Sequence, residues 1–318
     1  MAFNTFFSGG QIDRAVATRG DSDALLEAWH STEARIVAVW QSRCLVHGTR
    51  AILLTRQQLG DTATLDEAVY LGSLENRQLF ALPLPDDLHA VNIDAAAFEN
   101  FRGLLSQIDE QDAALLAYAK GMIEWRCRHR HCGACGAANQ PLSGGFVMAC
   151  TRADCGNRSF PRIDPAIIVL VVDRDDPNRC LLGRQHSWPE GRYSTIAGFV
   201  EPGESLEDAV AREVMEETNI EIADCNYMGS QPWPFPTGMM VGFHAVGDST
   251  RDICRHDKEL ADARWFSRDA ISSGDIVLPP PTSIAFRLIE HWFNQWDGAP
   301  LDSFGLSGDF SRRTGERT

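Results

Sequence analysis

The chain of 318 residues contains no apolar run approaching the ~20 residues a membrane-crossing helix requires. A helical membrane span is therefore not expected. Its opening stretch, MAFNTFFSGGQIDR, lacks a basic segment followed by an apolar core and does not read as a secretory signal. Positive charge is scarce: 29 Lys and Arg against 44 Asp and Glu leave a formal net charge of −15. Phosphate contacts are made mainly by Lys and Arg, so a broad nucleic-acid footprint is not expected. A local pocket for one nucleotide or an RNA end is compatible with that charge. A disulfide framework is also missing. Of nine cysteines, four form two close pairs and the others are scattered, which fits a reducing cytoplasm. What is present is ordinary for a globular protein, 44% hydrophobic and 23% charged, with length for two or three modules.

Pattern divides the chain into residues 1–121, 122–160, 161–300 and 301–318. The first part reads as a small α/β domain with short strands at Arg35–Trp40, Ala51–Thr55, Ala68–Leu71 and Leu79–Leu82. Nothing there is arranged for chemistry, so a scaffold or dimerisation role is expected. A helix from about Asp112 towards Arg128 follows, with Leu115, Tyr118, Ala119, Met122 and Trp125 on one stripe. In the third part Ala166–Val172 (AIIVLVV) suits a strand buried on both faces. Cys180–Gly183, Val241–Val246 and Ala263–Phe266 read as further strands. Ser283–Trp296 reads as a closing helix with Ile284, Leu288, Trp292 and Trp296 in line. Beyond Pro300 the chain is rich in Ser, Gly, Asp and Arg and reads as a mobile tail.

Three motifs carry chemistry. The first is GFVEPGESLEDAVAREVMEETNI, from Gly198 to Ile220. Glu213, Glu216 and Glu217 stand at i, i+3 and i+4, so a helix projects all three from one face. Ser205 is the predicted N-cap, with Asp208 in capping-box relation, and Leu206, Ala209, Val210 and Val214 supply an apolar stripe. The turn Glu201-Pro202-Gly203 delivers Glu204 to the helix start. Mg²⁺ takes hard oxygen ligands and completes its shell with water and substrate phosphate, a demand these carboxylates meet. A solvated acidic face is the bland alternative.

The second motif is Cys132 and Cys135, then fourteen residues, then Cys150 and Cys155. Two close cysteine pairs across a hairpin-length segment describe a zinc ribbon with four thiolates around Zn²⁺. Cys127, His129 and His131 precede the first pair and compete as ligands. A closed shell of four thiolates leaves no open position, so the expected role is structural.

The third motif is Ser230-Gln-Pro-Trp-Pro-Phe-Pro-Thr-Gly238. Prolines alternating with Trp233 and Phe235 fix an extended backbone and present two aromatic faces, a platform for a nucleobase or nicotinamide ring. A proline-rich packing loop is the default reading of such a segment by itself.

The first motif resembles the Nudix signature, which runs Gly, five residues, Glu, seven residues, Arg-Glu-apolar-any-Glu-Glu-any-Gly-apolar. Only Asn219 departs, standing where the signature has Gly; Asn is the next best residue for the left-handed helix end. With the ribbon and the proline–aromatic stretch, the chain resembles the NADH pyrophosphatase (NudC-type) subfamily from about Glu124 to Trp292, and more faintly before that. The resemblance implies a Nudix α/β/α sandwich with a mixed sheet, preceded by a zinc ribbon and a small N-terminal α/β domain. It implies metal-dependent splitting of NADH or NAD⁺ into nicotinamide mononucleotide and AMP, and removal of NAD caps from RNA 5′ ends. Divalent Mg²⁺ or Mn²⁺ would be held by Glu213, Glu216, Glu217, Glu259 and the carbonyl of Ala197. Glu216 would alternatively be the base, and Arg212 would orient a glutamate. Phe160, Phe199, Gln231, Pro232, Trp233, Pro234, Phe235, Pro236, Thr237, Gly238 and Ala285 would line the dinucleotide. Gly238 replaces a serine of the subfamily motif and removes one hydroxyl contact. A cytoplasmic homodimer is the expected form. Two rivals are weighed: hydrolysis of another dinucleotide, such as ADP-ribose or a diadenosine polyphosphate, and a nucleotide-sensing module whose ribbon contacts nucleic acid.

Overall fold

The strand Asp164–Asp173 organises the C-terminal half because it is apolar on both faces. Side chains alternate along a strand, so Ile167, Val169 and Val171 enter one core cluster, and Ile168 and Leu170 enter the other. The first cluster includes Ala209, Val210 and Val214 from the acidic helix Leu206–Thr218. The second includes Leu288, Ile289 and Trp292 from the closing helix Ile284–Phe293. Two helices sandwich one sheet. The computed structural model describes residues 3–86, 96–105, 107–256 and 259–308.

That sheet is mixed and has six strands. The strand Asp164–Asp173 runs parallel to Gly238–Gly247 and antiparallel to Arg179–Gln185 and Ile196–Phe199. Leu260–Ser267 adds antiparallel to Arg179–Gln185. The predicted strands are thus present with longer bounds. Ile222–Trp233, to which the sequence assigned no strand, is a sixth strand because its backbone pairs beside Gly238–Gly247. The closing helix stops at Phe293, three residues short of the predicted stripe, and Trp296 is 59% exposed. Of the predicted tail, Leu301–Phe304 forms a short 3-10 turn anchored by buried Leu301, and Leu278 N–H donates to the Leu306 carbonyl. Residues 309–318 lie outside the described residues.

The chain forms two compact units. One contains the residues up to Phe6, Asp164–Pro232 and the chain from Gly238; the other contains Phe7–Ile163 and Trp233–Thr237. In the second unit, Ala34–Trp40 runs parallel to Arg77–Pro83 and antiparallel to both Arg43–His47 and Leu53–Leu54. Arg43–His47 pairs antiparallel with Ala97–Asn100, and Val69–Leu74 with Arg77–Pro83. Apart from the added strand Arg50–Ala51, this repeats the pairing around Asp164–Asp173. Where the first unit has its acidic helix, the second has the four-residue helix Arg56–Leu59 (RQQL), which carries no carboxylate. A repeat lacking that helix cannot assemble the acidic face. The long helix Glu110–Arg128 is buried around most of its circumference, including Lys120 and Arg126, beyond the single predicted stripe.

His244 on the strand Gly238–Gly247 sets a pH limit for this core. Its Nε2–H donates to the Leu288 carbonyl at 3.0 Å, and burial pulls its pKa down from 6.5 to about 4. The folded value lies below the unfolded one, so the neutral form stabilises the fold fully above pH ~6.5. That contribution, on the order of 3 kcal/mol, is lost as pH falls towards about 4. Thermal melts should therefore be level above pH 7 and decline across this window. The decline should be shallower in His244→Gln; an unchanged slope would assign it to other groups.

Candidate active site on the acidic helix

Ser205 caps the acidic helix: its Oγ accepts from Asp208 N–H at 3.1 Å, and the Asp208 carboxylate accepts from the Ser205 backbone N–H at 3.3 Å. Asn219 ends it in the left-handed conformation, φ 63°. Between these ends the four functional side chains converge. Arg212 Nε donates to Glu204 Oε1 at 2.5 Å, and its Nη1 donates to Glu213 Oε1 at 2.9 Å and to Glu216 Oε2 at 3.0 Å. Its Nη2 donates to the Phe199 carbonyl at 2.8 Å and to Glu204 Oε2 at 3.0 Å. One planar guanidinium thus ties the loop to the helix and aligns two carboxylates, a task suited to its fork of donors. Glu217 lies on the same helix and is 4% exposed, while Glu216 is exposed.

The charges respond to this packing. Hydrogen bonds from Arg212 hold the Glu204 carboxyl down at about 2, and the Glu201 amide adds to the effect. Glu213 moves the other way: burial raises its pKa against the pull of Arg212, and Glu216 and Glu259 push it further up. Reluctance to ionise among like charges is what a nearby dication relieves. The hard-oxygen donor set therefore fits Mg²⁺ or Mn²⁺ chemically. Glu259 is exposed and close enough to Glu213 to act on its charge; Lys258 lies outside the described residues.

Gly198 makes room for one of these groups. A Cβ there would stand 1.9 Å from the Glu213 carboxyl carbon and 2.0 and 2.2 Å from its oxygens. Because the obstructed atoms are the end of a flexible side chain, Gly198→Ala should leave the melting temperature within a few degrees. It should displace the carboxylate by about 1 Å or more, and a shift of that size can cost about 100-fold in rate. Steady-state kinetics beside a thermal melt test this; wild-type kcat would show that Glu213 position is unimportant.

The expected dinucleotide-lining residues separate into groups. Phe199 is 68% exposed on the strand Ile196–Phe199, with Ala197 exposed two residues before it. Phe160, in the other unit, is 62% exposed. Gln231 is 0% exposed, and its Nε2 donates to the Phe6 and Thr282 carbonyls at 3.2 and 2.7 Å. Its Oε1 accepts from Ile284 N–H at 2.8 Å, so it fastens the start of the closing helix. Ala285 is likewise buried, at 3% exposure, in the first turn of that helix. Gly238 begins a strand and pairs with Asp164, and Pro232 is half-buried at the end of its unit.

Trp233, Pro234, Phe235, Pro236 and Thr237 belong to the N-terminal unit. Trp233 and Phe235 meet edge to face with centroids 5.2 Å apart. Arg102 lies 4.5 Å over the Phe235 ring, and Phe101 packs against it at 6.0 Å. Lys120, 5% exposed, donates from Nζ to the Pro234 carbonyl at 3.0 Å and faces Glu124 at 3.8 Å. Sequence reasoning missed these holders. A lysine between Leu116 and Ile123 in a buried helix was the available signal, since a buried ammonium needs an acceptor.

In the ribbon, the ligand atoms of Cys132, Cys135, Cys150 and Cys155 all lie within 4.8 Å of one another. Tetrahedral Zn–S bonds of about 2.3 Å place sulfurs about 3.8 Å apart. Cys132 to Cys155 is 3.8 Å and Cys135 to Cys150 is 3.4 Å, so the four thiolates fit zinc. The Ala134 backbone N–H holds the Cys132 thiol down at about 6, with further help from Cys135 N–H and Asn157. Gly136 closes the first knuckle at φ 74°. Cys127 is exposed outside this cluster, and His129 bonds the Trp125 carbonyl through Nδ1 at 2.6 Å.

Three family models match successive parts of the chain. The NUDIX domain matches residues 162–286, the NADH pyrophosphatase zinc ribbon domain residues 128–160, and the NADH pyrophosphatase-like rudimentary NUDIX domain residues 33–125. The NAD-capped RNA hydrolase NudC of Mycobacterium bovis is 38% identical over 299 residues, spanning 88% of this chain and 92% of that protein. The NAD-capped RNA hydrolase NudC of Mycobacterium tuberculosis H37Rv matches with the same identity and coverage. The human NAD-capped RNA hydrolase NUDT12 is 37% identical over 229 residues, covering 64% of this chain and 49% of that protein.

Proposed function

Because the chain belongs to the Nudix hydrolases, in their NudC-type NADH pyrophosphatase branch, we propose that it hydrolyses the pyrophosphate bond of NADH and NAD⁺ and removes NAD caps from RNA 5′ ends. The products are nicotinamide mononucleotide with AMP, or with RNA carrying a 5′-monophosphate. The observation that carries this reading is the Arg212 guanidinium gathering Glu204 of the loop with Glu213 and Glu216 of the helix, beside buried Glu217.

Glu213, Glu216 and Glu217, with Glu259 and the Ala197 carbonyl, would hold Mg²⁺ or Mn²⁺, which would neutralise pyrophosphate charge and acidify bound water. The protein supplies the rest. Arg212 keeps two carboxylates aligned before substrate arrives, which removes a reorganisation cost at the moment of reaction. Glu216, the exposed member, would take the proton of an attacking water, a role its exposure supports. Phe199 offers an exposed face to a flat ring. Zinc in the four-cysteine shell is structural.

The test is product analysis after incubation with NADH, NAD⁺, ADP-ribose and NAD-capped RNA, with Mg²⁺ or Mn²⁺ in turn. Mononucleotide plus AMP from NADH is the expected result. Turnover of ADP-ribose alone would move the assignment to another dinucleotide, and no turnover of any substrate by zinc-loaded protein would overturn it.

A further inference from the structure

The strand Leu260–Ser267 is irregular at the end that follows Glu259. Arg184 pairs with Asp262, but the next residue, Gln185, pairs with Leu260, so Ala261 is an extra residue opposite the strand Arg179–Gln185. Side chains alternate along a regular strand, so residues an odd number apart point to opposite faces. Leu260 and Ala263 nevertheless enter the same core cluster, the one that packs on the acidic helix. The extra residue is what returns Leu260 to that side. Gly183 leaves it space: a Cβ there would stand 2.8 Å from Leu260 Cδ1 and 3.1 Å from Ile196 Cδ1. Glu259 directly precedes this bulge, so the bulge sets where its backbone leaves the sheet.

A bulge disrupts the ladder, and its carbonyls need other donors. Arg255 supplies them: its Nη1 donates to the Leu260 carbonyl at 3.1 Å and also to the Ala261 carbonyl. The residues on either side of Arg255 are fastened to the acidic helix. Cys254 N–H donates to the Thr218 carbonyl at 3.1 Å, and His256 N–H to the Glu216 carbonyl at 3.0 Å. Both carbonyls lie in the last turn, where a helix has no partners of its own for them. Asn219 adds to this from its side chain: Nδ2 donates to the Asp252 carbonyl at 3.0 Å, and Oδ1 lies 3.3 Å from His256 Nε2. A glycine at that position would make neither bond. Arg255 therefore stands between the helix end and the bulge, and all these residues belong to one compact unit.

We propose that Arg255 is a positioning residue for Glu259: by tying the bulge carbonyls to the loop that caps the acidic helix, it holds Glu259 ready to join Glu213 and Glu217 in binding a divalent cation. Arg255 acts through Glu259 and needs no contact with cation or substrate. Glu259 is one of the charges that push the Glu213 pKa up, so the two carboxylates are close enough to share a dication. The inference rests on the reading that the acidic helix binds such a cation.

Mn²⁺ titration of the zinc-loaded protein, followed by electron paramagnetic resonance, reads the site without turnover. The variants are Arg255→Ala, Arg255→Lys, Glu259→Gln and the double variant R255A/E259Q. Groups that orient metal ligands contribute about ten-fold or more to affinity, so Arg255→Ala should weaken Mn²⁺ binding about ten-fold and raise the Mn²⁺ needed for NADH hydrolysis alike. Arg255→Lys, which retains a cationic donor, should recover most of that loss. The double variant should bind Mn²⁺ no more weakly than Glu259→Gln alone, because the two changes remove one interaction. Losses that multiply in the double variant, or wild-type affinity in Arg255→Ala, would overturn the inference. Arg255 is exposed, and thermal melts check that its variants fold. Arg255→Gln, expected to behave as Arg255→Ala, serves if the alanine variant does not. Wild type that binds Mn²⁺ but leaves NADH intact would sink the proposed activity alone, and the affinities would still decide the role of Arg255. Wild type that binds no Mn²⁺ would overturn both.

Discussion

Glu217→Gln is expected to lower kcat for NADH by about 1,000-fold while leaving the melting temperature unchanged or slightly raised. The two effects have opposite signs because one side chain serves chemistry at the expense of packing. Glu217 is 4% exposed on a helix that also carries Glu213 one turn back and Glu216 beside it in sequence. Burying a charge near like charges is unfavourable, and an isosteric neutral amide removes that cost without leaving a cavity. The same change removes the negative charge with which the site would hold a divalent cation. Kinetics at several Mn²⁺ concentrations, set beside a thermal melt, separate these effects. A variant that melts higher and turns over normally would remove Glu217 from the metal-binding set.

Loss of zinc should have the second largest consequence, and it should fall on stability. Cys135→Ser, or prolonged chelation, breaks a shell of four sulfurs that ties two knuckles of a small three-stranded ribbon. Few ribbon residues are buried, among them Cys132, Met148 and Ala149, so little apolar packing remains once the metal leaves. Structural zinc sites contribute on the order of 10 kcal/mol to the folding of isolated fingers. In a chain of this size even several kcal/mol should lower the melting temperature by more than about 5 °C and open residues 132–155 to protease. Metal analysis should read one zinc per chain in wild type and none in the variant. Unaltered melting and protease resistance without zinc would show that the ribbon folds on its own contacts.

Local physics is legible without tertiary information where one short segment contains both cause and effect. Ser205, Asp208 and Asn219 mark the ends of the acidic helix because capping partners lie within a turn of each other. The four cysteines announce the ribbon because thiolate spacing is itself the ligand geometry. The strand Asp164–Asp173 is evident because burial on both faces leaves no polar alternation. Ile222–Trp233 was not evident: IADCNYMGSQPW lacks an apolar run, and its pairing beside Gly238–Gly247 is a long-range matter.

The proline–aromatic stretch marks the boundary between the two kinds of information. Its composition alone specifies a rigid, extended segment with two aromatic rings, since proline restricts the backbone wherever it stands. Composition could not say that Gln231 would be buried among three backbone partners, nor that Lys120 would reach the Pro234 carbonyl from 114 residues away. A side-chain amide serves a ligand or a helix end equally well until the fold brings one of them near. The sequence by itself determined the acidic helix, the zinc ligands, the central strand and the family. Only the tertiary structure decided which motif residues face outward, which hold the core together, and that the N-terminal sheet repeats the catalytic pairing without its acidic helix. The reason is that these outcomes depend on partners distant in sequence, and proximity between them exists only once the chain has folded.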